Sequence, residues 1–219
     1  TAALRMDGGT LLLDDSRLTD VVRLPVPGGN DGAVIDVSGT YAEVSNTTMS
    51  RTLGRAASFR DSTVTTANLV FDDNWYDPRD VGGSYDPADG GGAMYLEHSV
   101  WADEGSTFRR NSAVGSGGAV RAVASDVYVL DGSFTDNGDA PSWVADVEAV
   151  DRGGALSVDG ELVLDATYVA NSTAALQGGS LFHTSGLLEL ANATQVLQSR
   201  LLPGNQGGVA IHSTAAGEM

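Results

Sequence analysis

Two stretches of the sequence set aromatic rings beside carboxylates. Trp75 to Gly90 holds Trp75, Tyr76 and Tyr85 together with Asp77, Asp80, Asp86 and Asp89. It is internally duplicated: Tyr76-Asp77-Pro78-Arg79-Asp80 and Tyr85-Asp86-Pro87-Ala88-Asp89 are each followed within two residues by Gly-Gly. Gly138 to Arg152 holds Trp143 among Asp139, Asp146, Glu148 and Asp151. Aromatic faces beside carboxylates suit sugar stacking, and closely spaced Asp oxygens at glycine turns suit Ca²⁺. Trp75, Tyr76, Tyr85 and Trp143 are therefore the candidate carbohydrate contacts, and Asp77, Asp80, Asp86 and Asp89 the candidate calcium ligands. No EF-hand spacing occurs. The competing reading makes both stretches solvated turns whose aromatics pack on the wall of the fold.

Other chemistry is sparse. The chain has no cysteine, which removes disulfides, thiol catalysis and cysteine-ligated zinc together. His98, His183 and His212 are scattered without paired spacing and read as surface side chains. No Gly-x-Ser-x-Gly elbow, phosphate loop or dinucleotide fingerprint appears. Adjacent acids such as Asp14-Asp15, Asp72-Asp73 and Asp103-Glu104 are expected among 29 acidic residues, and solvated surface is their default meaning. A glycosidase built from two carboxylates would depend on their separation in space, which spacing along the chain does not give.

Charge narrows the partners. The 29 acids face 12 basic residues, all arginine, for a formal net charge of -17 over 219 residues. Nucleic acid and anionic membrane surfaces both require basic patches, so this balance argues against either. No run of eighteen apolar residues predicts a transmembrane helix. The 42 % hydrophobic content suffices for a folded core, and 28 glycines punctuate it.

What must position the candidate residues is a repeat. Gly91-Gly92-Ala93-Met94, Gly117-Gly118-Ala119-Val120, Gly153-Gly154-Ala155-Leu156 and Gly178-Gly179-Ser180-Leu181 share one signature; Arg55-Ala56-Ala57 is a decayed copy. A second signature, aromatic-x-x-Asn, runs Phe71 to Asn74, Phe108 to Asn111, Phe134 to Asn137 and Tyr168 to Asn171. The unit is about 25 residues, and the two aromatic-acidic stretches are insertions of about ten residues at one point of it. Short β-branched runs such as Val127 to Leu130 predict strands. The best helical candidate, Ala191 to Leu202, is the weaker alternative for that segment. Repeats of this length with short strands predict a parallel β-solenoid of seven to eight turns about 4.8 Å apart. Met94, Val120, Leu156 and Leu181 would stack as one interior row. Phe71, Phe108, Phe134 and Tyr168 would form a second, and Asn74, Asn111, Asn137 and Asn171 an amide ladder.

These two signatures, Gly-Gly-Ala-[Ile/Leu/Val] and Phe-x-x-Asn, resemble the repeat of chlamydial polymorphic outer-membrane proteins, most closely over residues 90 to 182. The resemblance implies a right-handed parallel β-helix in a cell-surface or extracellular setting, with an adhesive or structural role. Enzymes on similar scaffolds supply the alternative, a polysaccharide lyase or glycoside hydrolase. The Arg-x-Pro-x-x-Arg of the pectate-lyase type and the Gly-His-Gly of the polygalacturonase type are both absent. The expectation is thus a single all-β domain over residues 1–219, without catalytic residues, forming a segment of a larger surface protein or assembly. Its open ends would meet other copies or flanking domains.

Overall fold

A computed structural model of the chain describes residues 4–21, 33–77, 90–139, 152–201 and 210–214. Among these residues there is no helix; every element is a strand, and every strand pairing is parallel. The segment Ala191 to Leu202 contains the strands Gln195–Leu197 and Arg200–Leu201, so the helical alternative fails there. Leu197 and Leu201 pair with the preceding repeat instead of forming a helical face.

A 13-stranded sheet takes two strands from each of the five units between Ala57 and Ala191 and one from each of the units on either side. A 7-stranded sheet takes a further strand from each unit between Arg17 and Leu197. The long sheet has two arms, which we call first and second. Ile35–Ser45 belongs to both, pairing at its start with Ala57–Arg60 and further on with Thr63–Ala67. In later repeats a corner separates the arms, so that Met94–Glu97 lies in the first and Val100–Glu104 in the second.

Pairing is in register from repeat to repeat. Met94, Val120, Leu156 and Leu181 are successive Cα partners, as the glycine signature predicts. The row extends back through Ala57, Ile35 and Leu4 and forward to Ile211. Phe71, Phe108 and Phe134 also stack, with centroids 4.8 and 4.6 Å apart and nearly parallel rings. Inward residues of both arms and of the third strand share one hydrophobic cluster, where Trp101 meets the edge of Phe108.

The fourth member of the aromatic row and of the asparagine row is displaced by one residue. Tyr168 pairs with Ser133 and is 41 % exposed, while Val169 pairs with Phe134 and takes the interior position. The aromatic stands one residue nearer the preceding corner than Phe108 and Phe134 do. Thr167 is buried there, its hydroxyl donating to Asp165 O at 3.0 Å, which leaves the next residue pointing outward. Placing Val inside and the phenol outside also satisfies both side chains. Ser172, not Asn171, therefore occupies the buried ladder slot, and Asn171 sits outside at φ 55°.

The remaining asparagines form a complete chain of amides. Asn74 Nδ2 donates to Asn111 Oδ1 at 2.8 Å, and Asn111 Nδ2 donates to Asn137 Oδ1 at 3.2 Å. Each Nδ2 also donates to the carbonyl of a residue in the preceding aromatic row: Met49, Phe71 and Phe108 in turn. Asn111 thereby uses both donors, and its Oδ1 accepts from the backbone and the side chain of Asn74. A second ladder was not foreseen. At the corner between the arms, the backbone N–H of Thr40, Ser62 and Ser99 donates to the hydroxyl of Ser62, Ser99 and Ser125 respectively.

The paired glycines have separate reasons. Gly91, Gly117, Gly153 and Gly178 adopt positive φ. Gly92, Gly118 and Gly154 lie so close to neighbouring backbone that an added Cβ would collide with a carbonyl oxygen.

Candidate functional site

Both insertions leave and rejoin the fold at one corner. The first departs after Trp75–Tyr76 and returns at Gly90; the second departs near Asp139 and returns at Arg152. Gly90 and Arg152 each bridge to Ser116, so the return points are two ladder steps apart, about 10 Å. The sequence reading of a shared corner is thus correct.

The nominated side chains fare differently. Trp75 and Tyr76 form a strand paired with Ser112–Ala113 and are 0 % and 2 % exposed. Neither offers a ring to a sugar, because their backbone is still in the ladder and turns both side chains into packed surroundings. Asp77 is buried as well. Tyr85, Trp143, Asp80, Asp86 and Asp89 lie outside the described residues. Among the described residues, no three His, Asp or Glu side chains gather into a group that could hold a metal ion.

Tyr76 has a different partner. The Arg55 guanidinium lies 3.9 Å from its ring centroid and 4.2 Å from that of Tyr95, so the cation is held between two phenol rings. Arg55 Nε donates to Gly90 O at 2.9 Å. Arg55 therefore contacts the residue before the first insertion and the residue that ends it. It also accounts for the decayed glycine signature. Pairing of Ala57 with Met94 puts Arg55 in the slot that Gly92 fills one repeat later. The departure from the repeat marks the residue that fastens the insertion.

Arg55 belongs to a wider group on the outer face of the first arm. The outward row there runs Arg5, Asp36, Ser58, Tyr95, Arg121, Ser157, Phe182 and His212. Arg60 bonds Asp36 at 2.9 Å and Glu97 at 3.3 Å, Arg152 stands over Phe182, and His212 stacks on Phe182 at 5.5 Å. Arg5, Arg60, Asp7, Asp36 and Glu97 border a cavity of about 400 Å³. Its walls are ion pairs made within the protein.

The histidines divide three ways. His98 is exposed at a left-handed corner, 3.8 Å from Asp61. His183, expected at the surface, is fully buried. Its Nε2 lies 2.9 Å from Gly160 O, which can only accept, so Nε2 donates there, and Nδ1 pairs with Ser213 Oγ at 3.1 Å. That bonding makes it a structural side chain linking three repeats.

The Asp103 carboxyl points inward. Asp103 is 5 % exposed, bonded by the hydroxyls of Thr66 and Ser106, while Trp101 Nε1 donates to Thr66 Oγ1 at 2.8 Å. Burial raises its pKa above the ordinary carboxylate value, against the lowering effect of those hydrogen bonds.

The outer face of the second arm escaped the sequence reading. Thr65, Ala102, Tyr128 and Val163 are direct partners in one outward row, in a trough of about 380 Å³. Their types share nothing, so only the register reveals that they are neighbours. Tyr128 has its pKa raised, first by desolvation and then by the nearby Glu161 and Asp126.

No protein-family model, curated protein or solved structure matches this chain.

Proposed function

We propose that the chain is a right-handed parallel β-helix serving as a non-enzymatic structural or adhesive module at a cell surface or in an extracellular matrix. The single observation that carries this reading is the unbroken registry of interior rows. The apolar row continues through every repeat, the aromatic and amide ladders run through three of them, and strands of both large sheets contribute to one core. The side chains that are most regular serve stacking, and the insertions at the shared corner begin from buried, fastened strands. The resemblance of the repeat to that of surface proteins supports the setting.

The ends support a role within an assembly. At one end Leu187, Leu190 and Leu197 are 52 %, 40 % and 44 % exposed, and at the other Leu4, which begins the interior row, is 37 % exposed. Among the described residues, no strand lies beyond Leu188–Ala191 or Gln195–Leu197 in their sheets. Another copy or a flanking domain stacked along the axis would cover these edges.

The test pairs a glycan array with a turnover assay on a polysaccharide panel. Binding without turnover is expected. Turnover abolished by one carboxylate substitution would replace the module with an enzyme. Calorimetric titration with Ca²⁺, on the whole chain and on a variant lacking Tyr76 to Asp89, tests the calcium proposal. Heat from the first and none from the second is expected; two flat traces would retire it.

A further inference from the structure

The trough on the second arm is an uncharged strip inside a ring of acids. The row Thr65, Ala102, Tyr128 and Val163 is flanked by Glu43 on one side, with Leu12 beyond it, and by Glu189 on the other. Glu104 and Asp165 flank it along one side, and Asp126 and Glu161 along the other. Among the described residues, no arginine lines the trough. Val100 and Leu130, on the strands that form its floor, are 42 % and 41 % exposed. Asp165 contributes a further feature. Its Oδ2 accepts from Asn192 Nδ2 at 2.9 Å, while its Oδ1 is buried and accepts no hydrogen bond. A buried acceptor without a donor is unfavourable.

Charge selects among occupants. Uronates, sulfated glycans, phosphates and a second copy of this acidic face are all repelled. A neutral glycan would desolvate these carboxylates without compensating charge. An extended peptide could not add a strand here, because Val100–Glu104 and Asp126–Leu130 are each paired on both sides. The ligand must bind through side chains on the face. The small Thr65 and Ala102 beside Tyr128 leave room for a ring, and a phenol face attracts both sugar C–H groups and ammonium.

Taking the adhesive-module reading as its basis, we propose that this trough binds an amino-sugar glycan with free amines. One ring stacks on Tyr128, and Asp165 and Glu104 accept hydrogen bonds from its ammonium and hydroxyl groups.

The experiment is calorimetry on the full chain with three probes: a glucosamine oligomer, its N-acetylated counterpart and pentalysine. The glucosamine oligomer is expected to bind, with affinity falling as salt rises, and the acetylated form to bind at least about tenfold more weakly. Tyr128→Ala and Asp165→Asn should each weaken binding by about tenfold or more, while Tyr128→Phe retains it. Thermal melting identifies any variant that fails to fold, and Tyr128→Phe then carries the test with Glu104→Gln. No binding by the wild-type chain, binding unchanged in Tyr128→Ala, or tighter binding of pentalysine would each overturn the proposal. Array binding to some other glycan that survives Tyr128→Ala would remove this site and leave the module reading intact.

Discussion

The two arms of the long sheet share one interior and have opposite exteriors. Inward, both present continuous apolar rows to the same core. Outward, the first arm gathers Arg5, Arg55, Arg60, Arg121 and Arg152 around Tyr95 and Phe182, and buries Ser58, Ser157 and Phe182 although they point away from the core. The second arm leaves Thr65 and Ala102 exposed and rings them with carboxylates. The register constrains every interior position, because a neighbour one repeat away must match it in size and polarity. It places no such demand outside. The outer faces can therefore diverge, with the first arm's serving to fasten insertions and the second's left open to a ligand.

The largest expected effect tests the fastening. Arg55→Ala removes a fully buried cation from between two rings and frees the acceptor at Gly90. We expect stability in denaturant unfolding to fall by about 3 kcal/mol, because the cation–π attraction of a desolvated site disappears and a cavity takes the place of the side chain. Arg55→Lys should recover only part of it, since the ammonium lacks the planar stacking surface. A change within about 0.5 kcal/mol would show that the first arm's exterior is as dispensable as an ordinary surface.

Next comes the amide ladder, which separates interior from exterior within a single signature. Asn111→Ala strips the bonds to Asn74, Asn137 and the Phe71 carbonyl and should cost about 2 kcal/mol, because the partners remain buried and unsatisfied. Asn171→Ala carries the same change at the same motif position and should cost about 1 kcal/mol at most, since that side chain is outside and only the left-handed backbone at φ 55° disfavours alanine. Equal losses from the two would restore the unshifted ladder.

This pair of asparagines also marks how far the sequence was legible. Met94, Val120, Leu156 and Leu181 could be read because a glycine pair sits at a fixed distance before each, and glycine there is required by collision and by positive φ. Tyr168 and Asn171 matched the written motif but not the ladder, because Val169 and Ser172 fill the same slots with unrelated side chains. The hydroxyl ladder through Ser62, Ser99 and Ser125 was invisible for another reason: serine at a corner looks like any turn residue. Of the candidate site, the shared corner was readable from insertion length. The burial of Trp75 and Tyr76 was not, since nothing in their types says that the strand continues to Tyr76 before the chain departs.

A smaller effect concerns pH. Asp103 has a raised pKa in the folded chain, so the native state holds its proton more tightly than the unfolded state does. Its contribution to stability is then most favourable below the ordinary carboxylate value and declines as pH rises through the raised one. Asp103→Asn should abolish that decline, and unfolding free energies of the two proteins should diverge with rising pH in favour of the variant. Asp159 runs the other way. Hydrogen bonding from Ser185 lowers its pKa, so its contribution is present above the ordinary carboxylate value and lost as pH falls through the lowered one. A variant curve parallel to wild type across the acidic range would remove Asp103 from the account.

The smallest expected effect completes the comparison from the second arm. Thr65→Ala and Ala102→Ser alter the floor of the trough at exposed positions, with both flanking strands fully paired beneath them. Threonine loses little there beyond its β-branched preference for a strand, and serine is a slightly poorer strand former than the positions around it. Each change should move the unfolding free energy by no more than about 0.5 kcal/mol. Arg55→Ala, by contrast, is an outward change on the same sheet with several times that cost. The contrast holds only if the second arm's exterior contributes nothing to the fold. A loss of about 2 kcal/mol from Thr65→Ala would mean that another part of the chain packs on this face, and the open strip would then be a second fastening surface.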